Sequence, residues 1–221
     1  MTIAKLTRAA FLTGMIGVSA LAVAPNAYAA RNGDAEAYVQ QHASAAMQSL
    51  NSGAPAMQRR QQFDYLMAQF ADMPRIANFV LGRYGAQLRS DTALRSEWTR
   101  AFQDYAIAVY EDQLTGLNGS TIRVIGSVER VPGRDVIVTS ELQPRAGGRA
   151  TTVQWRLLRS GEIWKVVDVS LVVEGNQIWL AQQQQQDFLA ALDRNNGDIR
   201  ALMGDLRGMT ASMRQRIVAR S

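Results

Sequence analysis

The hydrophobic period of the chain changes between regions, and these changes constrain the fold class. Over residues 34–115, apolar residues recur at steps of three and four, which is the period of amphipathic helices. Over residues 120–174 the period is two and β-branched residues are frequent, which is typical of strands with one buried face. Helical spacing returns over 176–207. The pattern therefore predicts helices, then a sheet, then helices.

Short turns divide the predicted sheet into strands. Pro132-Gly133, Gly147-Gly148 and Ser160-Gly161 are turn signals between the alternating runs. Parallel neighbours would need crossovers of about a dozen or more residues, so such short turns require antiparallel neighbours. The prediction is an α+β fold in which helices pack on a four-stranded antiparallel sheet. The predicted strands are 122–128, 136–142, 151–158 and 163–173.

The inward positions of these strands are unusually apolar. On the third strand they are Val153, Trp155 and Leu157, and on the fourth the same spacing places Val167 in register with Val169. Periodicity alone favours a filled core as the simpler interpretation. The alternative is a curved sheet that its helices cover only in part, which leaves a hydrophobic pocket between the two layers.

The N-terminal residues have the layout of a secretory signal peptide. Lys5 and Arg8 precede an apolar run over 9–24, and the small-residue site Ala27-Tyr28-Ala29 follows. The alternative is a membrane anchor, but a run of about 16 residues is shorter than the roughly 20 that span a bilayer. We expect residues 1–29 to be removed and the remainder to be exported.

Charge and composition exclude several function classes. Loss of Lys5 and Arg8 reduces the formal net charge from +5 to about +3, and the remaining basic residues are interspersed with acids, so we expect no nucleic-acid partner. There is no Cys, and the single His is His42. A serine triad and a typical zinc site therefore cannot be assembled. We expect no metal, no cofactor and no enzymatic activity; Asp104 and Glu111 on the third long helix are assigned to its solvent face.

The mature chain is long enough for one domain. About 190 residues suit a single unit with one hydrophobic core. Residues 30–207 carry the predicted helices and the sheet. Residues 208–221 are polar and basic, and we expect a loosely ordered tail there.

An ordered set of short motifs is similar to one known family. It begins with Phe79-Val80-Leu81-Gly82-Arg83-Tyr84, continues with Trp98, Phe102 and Tyr110, and closes the sheet with Trp164-Lys165-Val166-Val167-Asp168-Val169. These motifs, in this order behind a signal peptide, resemble the MlaC family of exported phospholipid-binding proteins, also called toluene-tolerance auxiliary proteins. The similarity extends from about residue 34 to residue 206.

The resemblance implies a nuclear-transport-factor-like curved sheet with a lipid pocket, and a periplasmic carrier function. Such a carrier takes phospholipid between an outer-membrane lipoprotein complex and an inner-membrane complex of MCE-domain protein and ABC transporter, and so maintains outer-membrane lipid asymmetry. We expect a monomer with a phospholipid ligand. The residues expected to contact lipid are Phe79, Tyr84, Phe102, Tyr105, Val138, Val153, Trp155, Val169 and Leu171.

Three alternatives remain open at this stage. A related branch of the family is associated with hopanoid-type lipids. A domain with a curved sheet of this kind can also be an exported enzyme that uses Asp168, Asp104 or Tyr84 as acid or base, or an envelope adaptor without a lipid cavity.

The chain departs from the family pattern after Gly175, where Trp179 leads into five glutamines, 182–186. Arg83 and Lys165 are candidates for a cation near the lipid head group, although each is more simply explained as a surface charge.

Overall fold

Along the chain, one group of helices precedes a single sheet and a second group follows it. The structure, a computed structural model, describes residues 30–50, 52–114, 119–145, 147–173 and 175–220, so the predicted signal peptide lies outside the described residues. A 3₁₀ turn at Gly82–Ala86 precedes the short helix α4. The elements are α1 (Gly33–Leu50), α2 (Ala56–Phe70), α3 (Met73–Val80), α4 (Gln87–Ser90), α5 (Thr92–Leu114), β1 (Thr121–Val131), β2 (Asp135–Gln143), β3 (Thr151–Ser160), β4 (Ile163–Val173), β5 (Asn176–Trp179), α6 (Leu180–Arg194) and α7 (Ile199–Arg220).

The sheet is an antiparallel meander in the order β1-β2-β3-β4-β5, which confirms the predicted α+β class and strand direction. The predicted strand number of four is wrong by one. Gly175, with φ of +82°, lets the chain turn back so that Asn176 pairs with Val173 and Trp179 with Ser170. The resulting strand has only four residues, too few to show a period in the sequence.

A β-bulge changes the inward face of β4. Leu157 pairs with Val166, whereas the preceding Arg156 pairs with Asp168, so Val167 is an extra residue on β4. The alternation shifts by one at this point. Val166 is 3% exposed and takes the inward position below the bulge, and Val167 is only partly buried. The prediction that Val167 shares the register of Val169 is therefore wrong, while Val169 itself is buried.

The apolar core consists of two clusters. One joins α2, α3, α5, α6 and α7 around Phe63, Trp98 and Phe188. The other joins α1 and the concave face of the sheet around Val39 and Val136. The two clusters meet along α2, because Phe63 belongs to the first and Phe70 to the second. The site described below lies where they meet.

Residues 208–220 are helical, which corrects the expectation of a loosely ordered tail. Helix α7 continues through Gly208 to Arg220 and packs against α5. Met213 and Ile217 are 8% and 7% exposed and extend the apolar stripe of Leu206 at steps of seven and four. A second correction concerns α5. Glu111 was predicted to lie on the solvent face of this helix, but it is only 7% exposed.

Candidate functional site: an apolar cavity between sheet and helices

A cavity of about 360 Å³ lies between the concave face of the sheet and helices α1, α2, α3, α5 and α6. Its volume is within the range of about 300–1,000 Å³ of small-molecule sites. Val172 at the end of β4 is among the lining residues and is 43% exposed. The lining residues are Ala43, Ala46, Met47, Phe63, Met67, Phe70, Ala71, Met73, Ile76, Phe102, Ala106, Tyr110, Ile122, Leu142, Thr151, Val153, Trp155, Val166, Val167, Asp168, Val169, Leu171, Val172, Leu180, Ala181 and Gln184.

Small side chains on the helices explain why the space is not filled. Ala43 and Ala46 are one turn apart on α1 and face the cavity, as does Ala106 on α5. A helix and a sheet are normally kept in contact by larger side chains that interdigitate at close-packed density. Alanine at these positions leaves volume that no other described side chain occupies. The filled-core interpretation, which periodicity alone favoured, does not describe this region.

The structure brings several of the predicted lipid-contacting residues together on the cavity wall. Phe102 reaches the wall from α5, and the sheet supplies the others at alternating positions of two neighbouring strands. Their role in lipid contact stays a prediction. The predicted residues that line the cavity are Phe102, Val153, Trp155, Val169 and Leu171.

The other predicted residues lie away from the wall. Val138 is fully buried among α1 and sheet residues, and Tyr105 packs against Phe188 with ring centroids 6.0 Å apart. Phe79 is 42% exposed on α3. The Tyr84 hydroxyl donates to Asp193 Oδ1 at 2.6 Å. Helical geometry explains why Tyr105 does not line the cavity. The cavity-lining residues of α5 follow Phe102 at steps of four, and Tyr105 lies to one side of that row.

Helix α2 supplies wall residues that the sequence analysis did not single out. Phe63, Met67 and Phe70 lie on one face of α2, at steps of four and three, and all line the cavity. This spacing is visible in the sequence, but it is also the pattern of any core-facing helix. On α6, Gln184 of the glutamine run lines the cavity as well. The glutamine run, where the sequence departs from the family pattern, therefore contributes a residue to the cavity wall.

The polar groups of the wall are few, and Asp168 is the most buried of them, with 7% exposure. Its Oδ1 accepts hydrogen bonds from the backbone N–H of Val169 at 2.8 Å and of Ala181 at 2.9 Å. Burial raises the pKa of Asp168, and the backbone hydrogen bonds oppose that rise. Trp155 is held in place because its indole N–H donates to Ser140 Oγ at 2.8 Å.

Both head-group candidates have protein partners outside the wall. Arg83 forms an ion pair with Asp193, which joins the 3₁₀ turn to α6. Lys165 Nζ donates to the carbonyl oxygens of Ala68, at 3.4 Å, and Gln69 at the end of α2. The two side chains thus connect elements that surround the cavity, and their contact with a head group stays a prediction.

The single histidine is a packing residue. His42 stacks on Phe70 with ring centroids 5.5 Å apart and an interplanar angle of 3°, and its Nδ1 lies 2.9 Å from the carbonyl oxygen of Tyr38. Among the residues that the structure describes, no group of three or more His, Asp or Glu side chains could hold a metal ion. Within the same residues, no helix has the length and hydropathy of a membrane span.

Comparisons with known proteins agree with this geometry. The family model described as MlaC protein matches residues 39–208. The solved structure of the phospholipid-binding protein from Ralstonia solanacearum, in complex with a phospholipid, has a similar fold, with a TM-score of 0.68 and 20% sequence identity over 81% of this chain and 98% of that chain. No curated protein sequence matches the chain.

Proposed function

We propose that this protein, which belongs to the MlaC family, binds phospholipid acyl chains in the cavity and carries them across the periplasm. The observation that carries the proposal is the cavity itself: a space of about 360 Å³ between sheet and helices, with a nearly apolar wall, in a member of this family. The structurally similar protein from Ralstonia solanacearum was solved with a phospholipid bound, which supports the same ligand class here.

The wall chemistry suits acyl chains. Aromatic and aliphatic side chains from both layers, such as Phe63, Phe102 and Val153, offer an apolar surface. Each buried methylene gains about 0.8 kcal/mol relative to water, so two acyl chains have more transfer free energy than reversible binding can use. A bilayer offers the same chains a similar gain. A carrier with such a wall can therefore exchange lipid with membranes while it holds the chains away from water.

We further infer the setting in which this carrier works. The signal-like residues 1–29 and family membership support a periplasmic protein that exchanges lipid with an inner-membrane MCE-domain/ABC transporter complex and an outer-membrane lipoprotein complex. Lipid moves between the two membranes without chemical change, so the proposal requires no catalytic residue and no cofactor. Maintenance of outer-membrane lipid asymmetry is the biological outcome.

Native mass spectrometry of matched variants, purified from the periplasm, tests the proposal. Val153 lines the cavity and is 4% exposed, and the adjacent Thr152 points to the opposite face of β3 and is partly buried. Val153→Arg places a charge on the cavity wall, so we expect a folded protein without bound lipid; Thr152→Arg should retain lipid. Equal lipid occupancy of the two variants would count against the cavity as the binding site.

A further inference from the structure

Two residues with ionisable side chains are among those that line the mostly apolar cavity: Tyr110 from α5 and Asp168 from β4. Tyr110 is on the same helical face as Phe102 and Ala106, at steps of four, and all three line the cavity. Tyr110 therefore provides a phenol on a wall that is otherwise mostly apolar.

The Tyr110 hydroxyl has no hydrogen-bond partner among the residues that the structure describes. Two polar aromatic groups close to the cavity do have one: Trp155 donates to Ser140 at 2.8 Å, and the Tyr38 hydroxyl donates to the carbonyl oxygen of Gln69 at 3.0 Å. Tyr110 is partly buried, and a ligand that fills the cavity would shield its hydroxyl from water; a donor shielded without a partner is destabilising. The cavity ligand is a suitable source of that partner.

The surroundings select the chemistry of this partner. Burial, with a smaller contribution from Asp168, raises the pKa of Tyr110, so the phenol stays protonated and acts as a donor at neutral pH. The Asp168 carboxyl already accepts hydrogen bonds from the backbone N–H groups of Val169 and Ala181. The described residues that line the cavity include no Lys or Arg, so an anionic group such as a phosphate or a fatty-acid carboxylate finds no cation partner at this depth. The partner expected for the Tyr110 hydroxyl is therefore a neutral acceptor oxygen on a mostly apolar ligand.

We propose that the Tyr110 hydroxyl donates a hydrogen bond to an acyl-ester carbonyl of the bound lipid, so that the cavity recognises the ester linkage as well as the chains. This assignment rests on the proposed function, because it requires acyl chains in the cavity. It places the ester region beside Tyr110 and the anionic phosphate toward solvent. The ligand class is thereby narrowed to ester-linked lipids.

The test compares two phospholipids with the same head group and chain length, one ester-linked and one ether-linked, in competition for the full mature protein. The ether lipid lacks the carbonyl acceptor. A neutral hydrogen bond predicts that the wild-type protein prefers the ester lipid by about threefold to tenfold. Tyr110→Phe should bind both lipids equally. Tyr105→Phe is the matched control, since Tyr105 is on the same helix but outside the cavity wall, and it should keep the preference.

The outcomes separate this inference from the proposed function. Equal binding of both lipids by the wild-type protein, or an unchanged preference in Tyr110→Phe, overturns the ester assignment and leaves the carrier function intact. Failure of both lipids to bind overturns the carrier function itself. Infrared spectroscopy of carbonyl-labelled lipid on the wild-type protein needs no variant: we expect a carbonyl band at lower frequency than for the same lipid in a dry apolar solvent, and a band at the apolar-solvent frequency contradicts the assignment.

Discussion

Asp168 Oδ1 accepts a hydrogen bond from the backbone N–H of Ala181 at 2.9 Å, and this bond connects the sheet to the first turn of α6. The residue that precedes α6, Trp179, provides no side-chain cap. The cap comes instead from a side chain distant in sequence. Since Leu180 and Ala181 both line the cavity, Asp168 positions this part of the wall.

Loss of the Asp168 carboxyl should destabilise the protein. Asp168→Ala leaves the N–H groups of Val169 and Ala181 without their acceptor, at an expected cost of about 1–3 kcal/mol in the free energy of unfolding. Asp168→Asn keeps an acceptor oxygen and should lose less. Urea denaturation measures both, with Asp187→Ala on the exposed side of α6 as the control. Equal stability of Asp168→Ala and Asp187→Ala would show that the cap contributes nothing.

A larger side chain on the helix side of the cavity should raise the stability of the protein and lower its lipid occupancy. Ala106 lines the cavity, and Ala106→Leu adds three carbons to a space that is empty in the lipid-free protein, so we expect a gain of up to about 2 kcal/mol in the free energy of unfolding. Lipid occupancy should fall. Ala93→Leu, at an exposed position of the same helix, should change neither quantity. A destabilised Ala106→Leu variant with full lipid occupancy would contradict the assigned cavity.

The strand part of the site was largely predictable, and the helix part was not. Alternation places Val153, Trp155 and Val169 on one face of the sheet, and they do line the cavity. The same alternation places Val138 on that face, but the cavity does not reach it, because the extent of an empty space depends on how the layers pack. Among the helices, Phe79 was predicted to contact lipid but does not line the cavity. Periodic apolar spacing identifies the apolar face of a helix, but it does not identify the element against which that face packs.

The remaining differences come from contacts between distant parts of the chain. Strand β5 is too short to show a period, and its pairing with β4 depends on the turn at Gly175. Helix α7 extends past Gly208 because α5 covers the apolar stripe that includes Met213 and Ile217. The bulge on β4 is not evident from the sequence, because Val166 and Val167 are both valine and alternation does not show which of them is the extra residue.

The end of α7 should contribute to global stability. Ile217 is 7% exposed, so Ile217→Ala should lower the free energy of unfolding by about 2 kcal/mol, at the low end for such truncations. Val218→Ala, at a position that is 70% exposed, is the matched control and should change it little. Thermal or urea unfolding distinguishes the two. A loosely ordered tail would instead make both substitutions neutral.

Asp64 should make stability depend on pH. Burial raises the pKa of Asp64, against the opposing effects of Arg60 and Arg214, and burial likewise raises the pKa of Glu111 close by. A carboxyl whose pKa is higher in the folded state binds its proton more tightly there. Its contribution to the free energy of unfolding is therefore most favourable at pH values below its unfolded pKa, and that contribution is lost as pH rises through the folded pKa.

The corresponding variant is Asp64→Asn. It removes the cost of ionising a buried carboxyl, so we expect it to be more stable than the wild-type protein at pH 7 and the difference to shrink as pH falls toward 4. Urea midpoints across this pH range measure the effect. Asp34→Asn, at an exposed position of α1, serves as the control. A difference that grows on acidification would show that the sign is wrong.

The central claim is that the cavity holds phospholipid, and its most direct measurement combines lipid extraction with thermal unfolding of the protein from its own periplasm. We expect organic extraction to yield stoichiometric phospholipid. Delipidated protein should melt at a lower temperature, and added phospholipid should restore it, because a ligand bound only by the native state stabilises that state. Absence of stoichiometric lipid, together with a melting curve that delipidation leaves unchanged, would contradict the carrier function and favour an adaptor.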